Sequence, residues 1–155
     1  MIIRRYLPKD ISEIVELFYN TVHTVNLRDY SLSEVDAWAP KYIDKEAWNH
    51  RLSENFTIVA ERDEIIIGFA SLTYNGYYDL LYIHKDYQGQ GVAVALTDII
   101  EKEAVLCGIS ELTADVSITA KPFFEKKGYE VVGKQTVERR GQLLTNYKMK
   151  KNLKN

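Results

Sequence analysis

The chain has 155 residues, of which 46% are hydrophobic and 27% are charged, and its formal net charge is −2. This length suits one domain with a substantial core, and the composition is typical of a globular protein. The nearly balanced charge excludes a global field that would attract nucleic acid or an anionic membrane. The N-terminal residues are unlike a signal peptide, and no apolar run is long enough to cross a bilayer. We therefore expect a single cytoplasmic domain over residues 1–155 that binds neither nucleic acid nor membrane.

One strand followed by helices is predicted for the first third of the chain. A short strand is expected at residues 2–6, and apolar residues at helical spacing predict an amphipathic helix at 11–23. Ser31 and Glu34 have the spacing of a capping box, which predicts the start of a second helix. A further helical piece is expected at 44–51.

The rest of the chain is predicted to consist mainly of strands, with hairpin turns at Arg62-Asp63, Asn75-Gly76 and a solvated Arg139-Arg140-Gly141. In chain order the expected elements are strands at 56–61, 64–74 and 77–84, a helix at 92–106, a strand at 111–117, a short helix opened by Pro122, and strands at 129–138 and 143–151. The order βααβββαβαββ predicts an α+β domain, with a mixed and mostly antiparallel sheet of about seven strands flanked by helices.

Two glycines, Gly89 and Gly91, stand in the sequence DYQGQGVAVAL between a predicted strand and the helix at 92–106. A helix N-terminus presents free backbone N–H groups and the positive end of the helix dipole, which together favour a phosphate. The turn is not a P-loop, because valine and alanine follow Gly91 instead of lysine and serine or threonine. It is not a dinucleotide fingerprint either, because Val94 takes the position of the third small residue.

The glycine turn does fit a third pattern, Gln/Arg-x-x-Gly-x-Gly/Ala, at residues 88–93. This pattern resembles the pyrophosphate loop of the GCN5-related N-acetyltransferase (GNAT) family. A second stretch, SITAKPFFEKKGY, resembles the family signature Asn-x-x-Ala-x-x-x-Tyr-x-x-x-Gly-Phe, with Ser117, Ala120, Phe124, Gly128 and Tyr129 on its positions. The order of elements is similar as well, so the resemblance covers essentially the whole chain. It implies the GNAT fold and direct transfer of acetyl from acetyl-CoA to a small-molecule or peptide amine in a ternary complex.

The resemblance also implies how acetyl-CoA would be held. Backbone amides of the glycine turn would bind the pyrophosphate, and the preceding strand would pair with the pantetheine arm, which enters through a splay between this strand and the next. Two further side chains would line the thioester. The implied cofactor residues are Leu81, Tyr82, Ile83, Gln88, Gly89, Gln90, Gly91, Val92, Ala93, Ser117 and Phe124.

Acetyl transfer needs a neutral amine, a polarised thioester carbonyl and a proton for the departing thiolate. A backbone N–H near Leu81 is the expected polarising group. The family's usual acid is the tyrosine of the second signature, and this chain has Phe124 there, which cannot donate a proton. Three explanations stay open: another tyrosine is the acid, water is the donor, or the chain does not catalyse.

Two aspartates, Asp79 and Asp115, are the candidate catalytic bases. Strand alternation predicts that Asp79 shares a face with Leu81 and Ile83, with Tyr78 on the opposite face. Asp115 is placed similarly on the strand that would flank the thioester. For Asp79 the alternative is a structural carboxylate whose oxygens are paired at the end of a strand.

The acceptor is expected between the early helices and the sheet, where the family has its variable substrate cover. Carboxylates and aromatic rings in this region would suit a small polar or cationic acceptor. The candidates are His23, Asn26, Asp29, Tyr30, Asp36 and Trp38, and for each of them a capping, turn or packing role is the alternative. The family often dimerises through its late strands, so a homodimer is a further expectation.

Cysteine and histidine indicate neither a disulfide nor a metal site. Cys107 is the single cysteine, and its position at the end of an apolar helix predicts a buried, inert thiol. The three histidines show no ligand spacing, so no metal is predicted.

Two other classes of function remain as alternatives. Phe124 motivates a non-catalytic acyl-CoA-binding or sensor protein with the GNAT fold. An interaction module whose glycine turn is purely structural is the other, and it would not bind CoA.

Overall fold

Seven β-strands and five α-helices form the part of the chain that the computed structural model describes, residues 1–153. The strands are β1 (Ile2–Arg5), β2 (Phe56–Arg62), β3 (Ile65–Leu72), β4 (Tyr78–Ile83), β5 (Glu111–Ser117), β6 (Glu130–Arg139) and β7 (Gln142–Asn152). The helices are α1 (Ile11–Thr24), α2 (Leu32–Trp38), α3 (Lys45–Glu54), α4 (Val92–Leu106) and α5 (Lys121–Lys126), with short 3-10 turns at Pro8–Asp10 and Asn26–Arg28. The predicted α+β class with about seven strands is confirmed.

The strands form two antiparallel sheets that lie side by side. One has the order β1-β2-β3-β4 and the other has the order β5-β7-β6. Their facing edges, β4 and β5, touch at one parallel bridge between Tyr77 and Thr113, where the Thr113 N–H donates to the Gly76 carbonyl at 3.0 Å. Beyond this bridge the two strands separate, as the resemblance implied. We call the region of separation the fork, which comprises residues 77–80 and 113–117.

Helices cover both faces of the first sheet. On one face α4 buries its apolar side against β2 and β3, and an added Cβ at Gly68 would lie 3.0 Å from Val92. Glycine at this position therefore allows the start of α4 to approach the sheet closely. On the other face α1, α2 and α3 pack against the sheet through buried residues such as Phe18 and Leu52. Each fully buried side chain of this size contributes about 1.5–3 kcal/mol.

A β-bulge interrupts β4 at Asp79. Ser71 pairs with Leu80, whereas its neighbour Leu72 pairs with Tyr78, so Asp79 has no partner on β3. An extra residue reverses the alternation of side chains that follow it. The predicted shared face of Asp79, Leu81 and Ile83 is therefore wrong. Asp79 contacts α3, on the same side of the sheet as Leu80, while Tyr78 points to α4.

Three helices, not two, separate β1 from β2, because the helical piece predicted at 44–51 forms the complete helix α3. Its N-cap is Asp44, whose Oδ1 accepts from the Ala47 N–H at 3.0 Å. The predicted capping box of α2 is confirmed, since Ser31 and Glu34 bond to each other's backbone N–H at 2.7 and 3.1 Å.

Cys107 is exposed, so the prediction of a buried thiol is wrong. The buried side of α4 includes Ile100 and Ala104, and the last turn points Val105, Leu106 and Cys107 outward. The thiol donates to the Glu103 carboxylate at 3.3 Å, and this hydrogen bond raises its pKa.

Within residues 1–153, no helix combines the length and the apolar character needed to cross a membrane.

Candidate active site

The glycine turn before α4 forms an open site for an anion. Gly89 and Gly91 have φ angles of +70° and +82°, and an added Cβ at either would meet no atom within 4 Å. Gly91 is the N-cap of α4 and offers no side chain to bond the first N–H groups, and no acidic residue lies in the first turn. Backbone N–H groups and the helix dipole therefore face open space, which suits a phosphate.

Two side chains brace this turn. The Gln88 amide donates to the Ile83 carbonyl at 2.7 Å, which ties the turn to the end of β4. The Arg62 guanidinium donates to the Gln90 side chain at 3.0 Å and lies over the ring of Tyr87. Arg62 brings a positive charge to the turn, and this role could not be predicted because Arg62 lies on a different hairpin.

A cavity of about 490 Å³, the first cavity, occupies the fork and extends to the glycine turn. Its walls come from β4, β5, the turn and α5, together with Thr21, Val25, Asn26 and Trp38 of the early helical region. Most of the implied cofactor residues line this cavity, namely Leu81, Tyr82, Ile83, Gln88, Gly89, Gly91, Val92, Ala93, Ser117 and Phe124. Gln90 is not among the residues that line the first cavity in the part of the chain that the structure describes. Its side chain accepts a hydrogen bond from Arg62.

A second cavity of about 380 Å³ lies on the α1–α3 side of β4. Aromatic rings of the helices, the fork, and the inner side of β6 and β7 form its walls. The two cavities share the lining residues Trp38, Asp79, Leu80, Tyr82, Asp115 and Ser117. The two cavities therefore adjoin at the bulge of β4.

Asp79 is held in an ion pair. The Arg51 guanidinium donates from Nε and Nη2 to both carboxylate oxygens of Asp79, at 2.8 and 2.7 Å. This hydrogen bond is the main reason that the pKa of Arg51 is raised. The side chain of Asp79 is only 9% exposed, so the pair is largely shielded from water on the carboxylate side. The geometry favours the structural alternative for Asp79, because both oxygens already accept strong hydrogen bonds.

Asp115 sits at the fork with a different set of partners. Its Oδ2 accepts from the Tyr77 hydroxyl at 2.6 Å, and its Oδ1 accepts from the Gln135 amide at 2.6 Å. Both donors are neutral, and among the described residues no cationic side chain lies within 4 Å of the Asp115 carboxylate. Asp115 lines both cavities and is exposed to their contents.

Phe124 lies in the wall of the first cavity and packs edge-on against Tyr78, with ring centroids 5.6 Å apart. The Tyr78 hydroxyl is buried and lies 2.8 Å from Thr97 Oγ1. Burial raises the pKa of Tyr78, as it does for the neighbouring Tyr77 and Tyr82. These three hydroxyls are therefore weaker acids than that of an exposed tyrosine.

Some of the predicted acceptor residues line a cavity and the others do not. Trp38 and Tyr30 line the second cavity, although the Tyr30 hydroxyl is already used, since it donates to the Thr145 carbonyl at 2.6 Å and accepts from the Ile118 N–H at 2.9 Å. Asn26 lines the first cavity.

In the part of the chain that the structure describes, neither cavity is lined by His23, Asp29 or Asp36. His23 Nε2 is 2.8 Å from the Ala39 carbonyl, and its ring stacks on Tyr19. Asp29 follows a 3-10 turn and is exposed. The alternation of polar and aromatic residues in this segment does not show which side chains face inward. Their orientation is set by how the helices pack against the sheet.

Several lining residues of the second cavity were not predicted. They are Phe18, Trp48, Arg51, Tyr77, Val137, Arg139, Arg140, Leu144, Thr145 and Asn146. The turn of Arg139 and Arg140 is exposed, as expected, and both arginines also border the cavity, where Arg140 donates to the Ala37 carbonyl at 2.7 Å. In residues 1–153 no group of three His, Cys, Asp or Glu side chains is placed to hold a metal.

Sequence comparison gives two matches over most of the chain. The profile described as "Acetyltransferase (GNAT) domain" matches residues 26–151. A protein of Escherichia coli (strain K12), described as "Uncharacterized N-acetyltransferase YafP", is 37% identical over 148 residues, which cover 96% of this chain and 93% of that protein.

Structure comparison agrees. A crystal structure from Rhodopseudomonas palustris, described as a "GCN5-Related N-acetyltransferase: Aminotransferase, Class-II", has a TM-score of 0.94 at 36% identity and covers 97% of this chain and 94% of that chain. The structure of yncA, "a putative acetyltransferase" from Salmonella typhimurium with its cofactor acetyl-CoA, shares the fold with a TM-score of 0.75 at 20% identity and covers 100% and 95%. The glycine turn before α4, the split sheet and these matches have one explanation: the chain belongs to the GNAT acetyltransferase family and is an acyltransferase.

Proposed function

We propose that the chain transfers the acetyl group of acetyl-CoA to the amine of a small molecule or peptide, directly and in one ternary complex. The observation that carries this proposal is the meeting of two cavities at the β4 bulge, beside Asp115. One cavity is lined by the glycine turn, and the other is lined by the helices, β6 and β7. A relative with the same fold carries acetyl-CoA as its cofactor, which supports this donor.

The donor would bind along the first cavity. Its pyrophosphate would accept hydrogen bonds from the N–H groups of residues 89–93, and its pantetheine arm would lie between β4 and β5. The Ile83 carbonyl already accepts from Thr21 at 3.0 Å and from Gln88 at 2.7 Å, which uses both of its lone pairs. The Tyr82 carbonyl faces β3, because Tyr82 pairs with Phe69 two residues from the hydrogen-bonded pair of Ile67 and His84. The carbonyl that pairs with a pantetheine amide would therefore be that of Leu81.

The acetyl transfer itself would occur at the fork. The amine nitrogen attacks the thioester carbon, the C–N bond forms and the C–S bond breaks. A backbone N–H at the bulge, near Leu81, would stabilise the negative charge that develops on the carbonyl oxygen. Asp115 would take the proton that the amine must lose, directly or through one water, since it is the carboxylate that borders both cavities without a cation within 4 Å among the described residues.

The departing thiolate would take its proton from water. An ordinary alkyl thiol has a pKa of about 8.5, so its thiolate can leave as the anion and be protonated by solvent afterwards. Burial raises the pKa of Tyr77, Tyr78 and Tyr82, so their hydroxyls are weaker acids than an exposed tyrosine. A thiolate is a good leaving group without an acid, which makes the phenylalanine at position 124 compatible with transfer.

The proposal is tested by measuring free thiol release from acetyl-CoA over a panel of polyamines, amino acids, aminoglycosides and peptides. We expect release that depends on one class of amine. Initial rates at varied concentrations of both substrates should give intersecting lines, because direct transfer requires both substrates on the protein at once. Parallel lines would indicate an acetyl-enzyme intermediate and contradict direct transfer. Silence across the panel, with acetyl-CoA binding confirmed in the same samples, would favour a binding protein without catalysis.

A further inference from the structure

The floor of the second cavity changes in polarity along β6 and β7. Paired residues on neighbouring antiparallel strands point to the same face of the sheet. From the fork outward, the successive pairs on this face are Gln135 with Asn146, Val137 with Leu144, and Arg139 with Gln142. The first pair is polar and adjoins Asp115, the second is apolar, and the third leads into the turn that carries Arg140. The cavity therefore has a hydrogen-bonding inner end, an apolar middle and a cationic outer end.

The inner end has an unused hydrogen-bond acceptor. Asn146 lines the second cavity, and its side-chain Oδ1 is buried with no hydrogen-bond partner in the described part of the chain. Buried polar atoms in native proteins almost always have a partner, so an orphan on a residue that lines a cavity points to a donor supplied by a ligand or an ordered water. An amine N–H is such a donor. Asn146 pairs across the sheet with Ser117 and Gln135, which places it beside the proposed base.

The outer end has a strained arginine. Arg140 and Gly141 form the two-residue turn between β6 and β7, with φ angles of +46° and +82°. Asparagine or glycine is the usual residue at the first position of such a turn, because a longer side chain is strained at positive φ. Strain of this kind is retained where the side chain has a role. Here the guanidinium reaches the Ala37 carbonyl at 2.7 Å and borders the cavity next to Trp38.

Neither arginine of the outer end is neutralised. Within residues 1–153, no carboxylate lies within 4 Å of the guanidinium of Arg139 or Arg140, although Arg51 deeper in the cavity is paired with Asp79. Guanidinium groups bind carboxylate and phosphate well, because their planar N–H groups match the spacing of two oxygens. Two unpaired arginines at the mouth of a cavity therefore favour an anionic group on the ligand.

We propose that the acceptor is an amine that carries a carboxylate or phosphate at its far end, separated from the amine by an apolar segment. This inference rests on the proposed function, because it describes the acceptor of the same site. The amine would donate to Asn146 and face Asp115, the apolar segment would contact Val137 and Leu144, and the anion would bind Arg139 and Arg140. Four residues of strand separate Asn146 from the turn, so the two ends of the acceptor would lie on the order of 10 Å apart.

Matched probes can test this inference. Octylamine, ω-aminooctanoate and glycine share a primary amine but differ in whether they have a carboxylate and how far it lies from the amine. Binding of each to the protein saturated with CoA is measured by calorimetry, and KM is measured where acetylation occurs. We expect ω-aminooctanoate to bind at least tenfold more tightly than either octylamine or glycine. Equal affinity for ω-aminooctanoate and octylamine, or tighter binding of glycine, would overturn the inference.

Substitutions then identify the groups that are responsible. In the double variant Arg139→Gln/Arg140→Asn, the preference for ω-aminooctanoate over octylamine should fall below about threefold. Asparagine suits the positive φ at position 140, so the turn is retained. The control is Arg28→Asn, a substitution of an exposed arginine, and this variant should keep the full preference for ω-aminooctanoate over octylamine. A preference that persists in the double variant would overturn the assignment to these arginines. Because calorimetry does not need turnover, a carboxylate preference without acetylation would reject the proposed function and keep the inference about the ligand.

Discussion

Replacement of Gly91 by glutamate is expected to raise the dissociation constant of acetyl-CoA at least a hundredfold. A carboxylate at the start of α4 would lie beside the pyrophosphate, and like charges about 4 Å apart repel by about 4 kcal/mol near a protein surface. Each 1.4 kcal/mol is about a tenfold change in affinity. The protein itself leaves room for the new side chain, since no atom lies within 4 Å of an added Cβ. Calorimetric titration with acetyl-CoA measures the effect.

Gly108→Glu is a matched control at the other end of the same helix, about 22 Å away. Gly108 has a φ of +78°, close to the +82° of Gly91, and an added Cβ there also meets no atom within 4 Å. Both variants should lose about 1–2 kcal/mol of stability because a side chain is strained at this φ. Only Gly91→Glu should lose acetyl-CoA. Equal binding by the two variants would show that the glycine turn is structural and does not hold the pyrophosphate.

Replacement of Asp115 by asparagine is expected to lower kcat by roughly a hundredfold or more, the usual contribution of a general base. Asparagine is nearly the same size and can still accept the hydrogen bond that Tyr77 donates at 2.6 Å, so the fork should stay folded. The dissociation constant of acetyl-CoA should change far less than kcat. Steady-state kinetics with the amine found in the panel, together with calorimetry, separate the two effects.

Asp79→Asn is the matched control, because Asp79 borders the same two cavities but is paired with Arg51. We expect this variant to lose about 2 kcal/mol of unfolding free energy, the scale of a hydrogen bond to a charged group. Its kcat should fall by less than about tenfold, since Asp79 is not the group that takes the proton. The reverse pattern, with Asp79→Asn nearly inactive and Asp115→Asn active, would assign the base to Asp79.

The features that the sequence predicts well are those set by neighbouring residues. Gly89 and Gly91 are needed because of local backbone angles, and Ser31 caps its helix through Glu34, three residues away. The two family motifs are local as well, so the GNAT family and the α+β fold could be predicted and are confirmed. These features need no knowledge of which distant segments meet.

The side of the sheet that Asp79 faces could not be predicted. Strict alternation would have grouped it with Leu81 and Ile83, but one residue of β4 is left without a partner on β3. Such a bulge depends on how two strands pair along their whole length, and it leaves no clear mark in a short stretch of sequence. The pairing of Asp79 with Arg51 of α3 follows from the same shift.

The second cavity was the least predictable part of the site. Its walls come from α1, α2, α3, β6 and β7, so residues such as Phe18 and Asn146 meet only after the chain has folded. The Arg139-Arg140-Gly141 turn did contain a signal, since an arginine takes the place where asparagine or glycine is usual. His23 and Asp29 were expected at the acceptor because their segment is near it, but the packing of α1 and α2 turns both away.

A crystal structure with acetyl-CoA bound tests the central claim most directly. We expect the pyrophosphate at the N–H groups of residues 89–93, the pantetheine arm between β4 and β5, and the thioester at the fork within reach of Asp115. The acetyl methyl group should point toward the second cavity, where the amine would approach. Acetyl-CoA bound elsewhere, or a thioester held away from the place where the two cavities meet, would contradict transfer at this site.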